Sequence, residues 1–179
     1  LDVARRFKHK CILIIITSDK CYKNIEQIWG YKECDELGGD DIYSASKASC
    51  EIIINSYFNS FLKHNTKNIR ISSVRAGNVI GGGDWSENRI IPDCVKSWMN
   101  NRPLKLNNPS STRPWQHVLE PLFGYLKLAL VIQNNKKLNG ESFNFGPSKE
   151  NSITVKKLVN MFKKNWNYSN IVINKSFKL

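Results

Sequence analysis

The pattern of hydrophobic and polar positions predicts strands that alternate with helices. Val3 to Lys10 is typical of the end of a helix, and Cys11 to Ile16 is a continuous apolar, mostly β-branched run, as expected of a strand buried in a parallel sheet. From Tyr43 to His64, apolar side chains recur at the spacing of an amphipathic helix, at Ile52, Ile53, Tyr57, Phe58, Phe61 and Leu62. Ile69 to Val74 is the next predicted strand.

The second half of the chain continues this alternation. Helices are predicted over Asn88 to Met99, Val118 to Val131 and Thr154 to Trp166, the last with Ser152 or Thr154 as its cap. Short strands are predicted over Leu104 to Leu106, Glu141 to Phe145 and Ile171 to Ile173. Strands separated by helices favour an α/β fold with a parallel sheet.

Length and composition narrow the class of protein. The 179 residues, 41% of them hydrophobic, suffice for one ordinary globular domain with a sizeable core. The longest apolar run, Cys11 to Ile16, is too short to span a membrane, and Leu1 to Lys10 has no signal-peptide core. The five cysteines form no C-x-x-C pair and the three histidines are scattered, so we expect reduced cysteines, no metal site and a cytoplasmic protein without a membrane partner.

The net charge of +12 raises the question of a nucleic-acid partner, because basic patches are the electrostatic footprint of such proteins. The lysines are spread along the whole chain, and the nearest approach to a cluster is Arg5 to Lys10. Scattered lysines are typical of solvated surfaces, so we expect no nucleic-acid partner. A positive field still favours a small anionic substrate, such as a nucleotide diphosphate.

Candidate chemistry begins directly after the first predicted strand, at Ser18, Asp19 and Lys20. Ligands of open α/β sheets bind at the carboxyl ends of strands, and these side chains offer a hydrogen-bonding hydroxyl, a proton donor and a proton acceptor. Tyr43 and Lys47, four residues apart on the next helix, share a face, where the ammonium favours the phenolate form of the tyrosine. The competing interpretations are a polar turn for the first group and a chance pairing, in a lysine-rich chain, for the second.

Two further features bear on ligand binding. The run Gly81 to Gly83 fits neither the G-x-G-x-x-G pattern nor the phosphate loop that ends in G-K-[ST], and is better explained by close passage of the backbone around a ligand. Arg113 is able to make a bidentate contact to phosphate, although a lone arginine in a polar loop is more often solvated.

Six segments, in one unbroken order, carry a family resemblance: TSDKCY (17–22), YSASK (43–47), RAGNVIGGGDW (75–85), RIIPD (89–93), RPWQHVLEPL (113–122) and NFGP (144–147). Together they resemble the extended short-chain dehydrogenase/reductase superfamily and, within it, the sugar-nucleotide 4,6-dehydratases. The resemblance implies an α/β fold that comprises the C-terminal part of a Rossmann-like parallel sheet plus a smaller, partly complete substrate-binding domain. It implies one domain over 1–83 and a second over 84–179, with the helix over 118–132 as a candidate to return to the first.

The resemblance also implies a reaction, in which bound NAD is used and regenerated while water leaves a nucleotide-activated hexose. Tyr43 would take the proton of the sugar O4, Lys47 would hold the cofactor ribose, Lys20 would remove the C5 proton, and Asp19 would protonate the departing C6 hydroxyl. The implied catalytic residues are Ser18, Asp19, Lys20, Tyr43 and Lys47; the cofactor-binding residues are Tyr43, Lys47 and Arg75; and the substrate-binding residues are Ser18, Asn78, Arg89, Ile90, Pro92 and Arg113.

The substrate implied by the resemblance is CDP-glucose, converted to CDP-4-keto-6-deoxyglucose. Ser18-Asp19-Lys20 stands where the dTDP-glucose enzymes of the family carry Thr-Asp-Glu, and it looks like the CDP-glucose variant. The family further implies a homodimer and a place in bacterial synthesis of surface deoxysugars. A sugar-nucleotide 4-epimerase and a dehydratase of another nucleotide sugar remain alternatives.

The chain departs from the family pattern at its start. The glycine-rich turn that lets a backbone approach the cofactor pyrophosphate is absent from the 179 residues. We therefore expect an N-terminally truncated chain that, in isolation, does not bind NAD stably and is inactive. A non-catalytic, sugar-nucleotide-binding remnant is the alternative of a different class.

Overall fold

The structure, a computed structural model, describes residues 1–64, 68–148 and 153–174. The helices are α1 (Asp2–Arg5), α2 (Ile42–Tyr57), α3 (Ile90–Met99), α4 (Leu119–Asn134) and α5 (Val155–Lys163). The strands are β1 (Cys11–Ile16), β2 (Ile69–Ala76), β3 (Val79–Ile80), β4 (Leu104–Leu106), β5 (Thr112–Arg113), β6 (Gln116–His117), β7 (Ser142–Phe145), β8 (Ile153–Thr154) and β9 (Ile171–Ile173). A π-helical turn over Phe58–Leu62 extends α2.

The chain divides into two compact units. Unit 1 comprises Leu1–Gly77 and Val118–Gly146, and unit 2 comprises Asn78–His117 and Pro147–Leu179. The chain thus leaves unit 1 after β2 and returns to it with α4. No helix in the described ranges is long and apolar enough to cross a membrane.

Unit 1 is built on a parallel sheet with the strand order β1, β2, β7. Its faces contact different helices, because successive side chains of a strand point to opposite sides. One face contacts α2 in a cluster of Leu13, Ile15, Ile54, Ile69 and Ile71. The other contacts α4 in a cluster of Ile14, Val74, Tyr125 and Leu128. Gly124 lets α4 approach β7 closely, since a Cβ there would lie 2.3 Å from the Phe145 ring.

Unit 2 is held by an apolar cluster between α3 and α5. Its buried members are Cys94, Trp98, Leu104, Leu106 and Val159. The described residues of unit 2 also form three two-stranded pairs: β3 with β6 and β4 with β9 are parallel, and β5 with β8 is antiparallel. The Thr154 hydroxyl caps α5 by accepting a hydrogen bond from the Lys157 N–H at 3.2 Å.

The predicted α/β class with a parallel sheet is confirmed, and β1, β4 and β9 begin and end where the sequence predicts. Thr154 is confirmed as the cap of α5, whereas Ser152 lies outside the described residues. The helix expected over Val3 to Lys10 ends already at Arg5. The strands β3, β5, β6 and β8 were not predicted, because two-residue strands carry no periodicity and depend on distant partners.

Part of the predicted apolar face of α2 and its π-helical extension is confirmed, since Tyr57, Phe58 and Leu62 pack in the cluster with Ile54 and the strands. The rest of it is wrong. Ile52, Ile53 and Phe61 are each more than half exposed, whereas Ser44, Ala48, Glu51 and Ile54 are buried. The physical reason is that this helix meets the sheet through small side chains and hydrogen bonds as well as apolar contacts: Ala48 packs against Cys21, and Glu51 bonds to the strands.

Candidate active site

The carboxyl end of β1 turns directly into a short 3-10 helix over Asp19–Cys21. Ser18 caps this turn: its Oγ accepts from the Lys20 N–H at 3.2 Å and donates to Asp19 Oδ1 at 3.1 Å. Ser18 is buried, Asp19 is half-buried and Lys20 is exposed. The three predicted groups therefore lie on one turn, with the hydroxyl fixed and the ammonium open to solvent.

Tyr43 and Lys47 lie on the first two turns of α2, whose start is fixed by a cap. Asp41 accepts hydrogen bonds from the Ser44 hydroxyl at 2.6 Å and the Ser44 N–H at 3.0 Å, and these bonds hold the pKa of the Asp41 carboxyl below its usual range. The Lys47 Nζ is 5.6 Å from the centroid of the Tyr43 ring. Tyr43 is 52% exposed, so its ring is accessible to a ligand.

The structure brings these two groups of residues together. The 3-10 helix with Asp19 and Lys20 packs against α2, and Cys21 and Ala48, the residues that follow Lys20 and Lys47, share one buried cluster. The Lys20 charge also contributes to the lowered pKa of Asp41 at the start of α2. Ser18, Asp19, Lys20, Tyr43 and Lys47 therefore belong to one region at the carboxyl edge of the sheet.

Arg75, predicted to bind the cofactor, lies inside unit 1 and is 4% exposed. Its guanidinium donates to Glu51 Oε2 at 2.7 Å, to the Tyr22 hydroxyl at 2.7 Å and to the Glu33 carbonyl at 3.1 Å. The guanidinium thus donates to acceptors of this chain itself, and these bonds hold the side chain against the sheet of unit 1.

The predicted substrate-binding residues of unit 2 line one cavity of about 410 Å³; they are Asn78, Arg89, Ile90, Pro92 and Arg113. Strand pairing supports one side of the cavity wall, since β3 lines the cavity and runs beside β6, and the Gln116 N–H donates to the Asn78 carbonyl at 3.0 Å. Arg89 lies at the start of α3, with Pro92 in its first turn. The predicted Ser18 belongs to unit 1.

The cavity combines cationic, aromatic and apolar groups. Arg89 and Arg113 bring two guanidinium groups to it, and Asp84 brings one carboxylate. The Asp84 carboxylate accepts from the Ser86 N–H at 2.9 Å, which lowers its pKa. Trp85 and Trp115 add aromatic surface. A pocket with an excess of positive charge and flat apolar surface is suited to an anionic ligand that carries a ring.

Sequence reasoning missed Glu51 and gave no role to Trp85 or Trp115. The signal for Glu51 was available: a carboxylate one helical turn beyond Lys47 lies on the same face of α2. A charged residue on a helix face that packs against a sheet needs a buried partner. Within the described ranges, no group of three or more His, Cys, Asp or Glu side chains is placed to hold a metal ion.

Known proteins resemble this chain in sequence and in fold. No protein-family model matches the chain. The chain is 45% identical over 169 residues to CDP-glucose 4,6-dehydratase of Salmonella typhimurium, a match that covers 93% of this chain and 47% of that protein.

Solved structures share the fold at low identity. UDP-glucuronic acid 4-epimerase from Bacillus cereus, in complex with UDP-glucuronic acid and NAD, has a TM-score of 0.76 at 18% identity, over 97% of this chain and 52% of that one. dTDP-glucose 4,6-dehydratase from Bacillus anthracis, in complex with NAD, has a TM-score of 0.68 at 22% identity, over 90% and 49%. The chain spans about half the length of these relatives. Over that half, it is a homologue of CDP-glucose 4,6-dehydratase with the Rossmann-like fold of the nucleotide-sugar dehydratases and epimerases.

Proposed function

We propose that the chain carries the catalytic and substrate-binding residues of a nucleotide-sugar 4,6-dehydratase, which converts CDP-glucose to CDP-4-keto-6-deoxyglucose with the help of NAD. One observation carries the proposal: the turn with Asp19 and Lys20 packs against the helix with Tyr43 and Lys47. An oxidoreductase of this family needs the tyrosine and lysine alone, whereas removal of water also needs an acid and a base. The 45% identity to the CDP-glucose enzyme supports this substrate.

The residues of unit 1 would move the protons. Tyr43 takes the proton of the sugar O4 as C4 is oxidised, and the Lys47 ammonium lies 5.6 Å from the centroid of its ring. Lys20 removes the proton from C5, and Asp19 protonates the C6 hydroxyl as it leaves. Ser18, fixed between the polar atoms of its neighbours, orients the sugar through a hydrogen bond.

NAD would supply the acceptor and donor of hydride at the sugar carbons. Tyr43 and Lys47 fit the nicotinamide end of this cofactor, because an exposed phenol with an adjacent ammonium offers a proton acceptor and a donor to a ribose hydroxyl. No G-x-G-x-x-G turn is present in the 179 residues. We therefore assign only the nicotinamide end to this chain, and we assign Arg75 to the support of the sheet.

The residues of unit 2 would bind the nucleotide diphosphate. The Arg89 and Arg113 guanidinium groups suit the two phosphates, and the apolar lining from Ile90 and Pro92 suits a flat base. The cavity volume of about 410 Å³ lies within the range of small-molecule sites.

The proposal includes a cytoplasmic homodimer that acts in the synthesis of surface deoxysugars. The five free cysteines, with no disulfide among them, support a reducing compartment. Ile42 and Ile53 of α2 are more than half exposed, and an apolar helix surface supports association with a second copy. Light scattering on the complete protein should give twice the mass of one subunit.

The test uses the complete open reading frame that contains this chain, purified and incubated with CDP-glucose and NAD. Mass spectrometry should show a product lighter by one water. UDP-, GDP- and dTDP-sugars run in parallel decide the base preference, and conversion of those sugars with no conversion of CDP-glucose contradicts the assignment. A 4-epimerase would give a product of unchanged mass, and a binding remnant would give none.

A further inference from the structure

Glu51 is a buried carboxylate on α2 to which the proposed chemistry assigns no step. The residue is 3% exposed. Its Oε2 accepts from Arg75 Nη2 and Ser73 Oγ, each at 2.7 Å, and from Ser142 Oγ at 3.2 Å. Its Oε1 accepts from the Thr17 hydroxyl. Since these donors belong to β2, to β7 and to the end of β1, one carboxylate ties α2 to all three strands of the sheet.

The same contacts hold both ends of the segment Ser18 to Cys21, here called the catalytic turn. Thr17 directly precedes Ser18, and Tyr22 directly follows the 3-10 helix. Arg75, bonded to Glu51, donates to the Tyr22 hydroxyl at 2.7 Å and lies 5.0 Å from the centroid of its ring. The segment with Ser18, Asp19 and Lys20 is therefore anchored at each end to the Glu51–Arg75 pair.

Helix geometry extends this anchorage to Tyr43 and Lys47. Glu51 is four residues beyond Lys47 and eight beyond Tyr43. At about 100° per residue, its direction differs by about 40° from that of Lys47 and by about 80° from that of Tyr43. All three side chains thus point to one side of α2, and a carboxylate fixed to the sheet sets the rotation of the helix that carries the other two.

The charge state of the pair is fixed as well. Burial alone would raise the pKa of the Glu51 carboxyl, but hydrogen bonds from Arg75, Thr17 and Ser73 outweigh it and hold that pKa below its usual range. Burial would likewise lower the pKa of Arg75, and its bonds to Glu51 and Tyr22 raise it instead. Apolar side chains of similar volume often stabilise a fold as well as a buried ion pair does, so stability alone does not account for this one.

We propose that Glu51, together with Arg75, is a positioning pair that fixes the proton-transfer groups of the catalytic turn relative to those of α2. The pair touches no reacting atom in this assignment and acts through Thr17, Tyr22 and the helix. The inference rests on the proposed dehydratase function, and it adds a role for a residue outside the catalytic set.

The test compares three variants in the complete protein: Glu51→Gln, Glu51→Gln with Arg75→Gln, and Ile132→Ala. Ile132 is fully buried in α4, so Ile132→Ala is a control that destabilises unit 1 without touching the pair. Glu51→Gln should lower kcat roughly ten- to a hundred-fold, because small displacements of reacting groups are costly, while KM for CDP-glucose changes less than about twofold. In the double variant no unpaired charge remains, so thermal stability should recover, whereas kcat stays low because glutamine is too short to reach Tyr22.

Ile132→Ala should lower the melting temperature and leave the kcat of the folded enzyme unchanged. Hydrogen exchange supplies a measurement independent of activity: Glu51→Gln should increase exchange in both the 17–22 and the 43–51 segments. The inference is overturned if kcat of the double variant recovers with its stability, or if exchange rises in only one of the two segments. An unmodified protein that does not dehydrate CDP-glucose would instead reject the proposed function and leave the exchange result to decide the coupling.

Discussion

Unit 1 and unit 2 hold their candidate functional residues by different forces. In unit 1 the turn after β1 and the helix α2 are joined by the buried Glu51–Arg75 pair and its hydrogen bonds. In unit 2 two residues of the cavity wall, Ile90 and Val155, pack on an apolar cluster around Trp98. Directional bonds fix positions closely, as proton transfer requires, whereas apolar packing shapes a cavity for binding. The difference predicts that loss of the directional bonds around the site of unit 1 changes kcat, and that loss of a charged residue lining the cavity of unit 2 changes KM.

The largest effect is expected for Tyr43→Phe. The substitution removes the hydroxyl that we propose accepts the O4 proton, and acid–base groups of this kind contribute about 10²- to 10⁴-fold. Steady-state kinetics on the complete protein should show that loss in kcat with KM nearly unchanged. Tyr57→Phe is the matched control, since its hydroxyl, on the same helix, bonds to Asp2 at 3.1 Å; equal losses for both variants would contradict the role of Tyr43.

The second prediction compares the stability of the two interiors. Glu51→Gln leaves the Arg75 charge buried without its ion-pair partner, which costs about 3–5 kcal/mol of unfolding free energy. Trp98→Ala leaves a cavity in unit 2 and costs a similar 3–5 kcal/mol or so. The two variants should respond differently to a second substitution. Adding Arg75→Gln to Glu51→Gln removes the unpaired charge and should restore the unfolding free energy measured in urea. The cavity left by Trp98→Ala cannot be compensated by removing a charge. Failure of Arg75→Gln to restore stability would contradict the importance of the unpaired charge.

For unit 2, Arg113→Ala should raise KM for CDP-glucose. A hydrogen bond to a charged group is worth about 1.5–3 kcal/mol, which corresponds to roughly a ten- to hundred-fold weaker interaction. Initial rates at varied substrate concentration, or calorimetry with CDP alone, measure the loss. Arg102→Ala removes an arginine of the same unit that does not line the cavity and should leave KM unchanged. A loss of kcat larger than the rise in KM would contradict the claim that unit 2 acts through substrate binding.

The first strand and the polar residues at its end belong to the part of the molecule that the sequence predicts well. The strand Cys11–Ile16 and the residues at its end were predictable, because a continuous β-branched run followed by polar groups has few structural interpretations. Tyr43 and Lys47 were found through a motif of fixed spacing. The domain division and the roles of the site residues stay predictions.

The polar contacts of α2 were not predictable. Glu51 accepts hydrogen bonds from donors that lie 22 to 91 residues away along the chain. The local sequence pattern around Glu51 cannot predict contacts with such distant residues. The exposed Ile52 and Ile53 gave a stronger apolar signal than the buried Ser44 and Ala48, so periodicity assigned two exposed side chains to the buried face. The cavity of unit 2 likewise depends on the pairing of β3 with β6, two short strands far apart in sequence.

The smallest expected effect is on the pH dependence of stability, and it differs in sign between the units. The pKa of Glu51 is lowered in the folded state, so its contribution is present at neutral pH and declines as pH falls through that lowered value. The pKa of Asp93 in unit 2 is raised by burial, so its contribution is lost as pH rises through the raised value.

Urea unfolding at neutral pH and at about pH 3 to 5, where carboxyl groups titrate, measures both. The advantage of wild type over Glu51→Gln should shrink on acidification. Asp93→Asn should stabilise at neutral pH and lose that advantage in acid. Parallel pH profiles for the two variants would contradict the contrast between the units.

The most direct measurement is the reaction of the complete protein with CDP-glucose and NAD in deuterated water. In the proposed mechanism Lys20 removes the C5 proton, which exchanges with solvent before C5 is protonated again, so the product should have lost one water and gained one deuterium at C5. Lys20→Met should abolish both changes at once. A product of unchanged mass, or loss of water undiminished by Lys20→Met, would contradict the assignment of a dehydratase that uses this lysine.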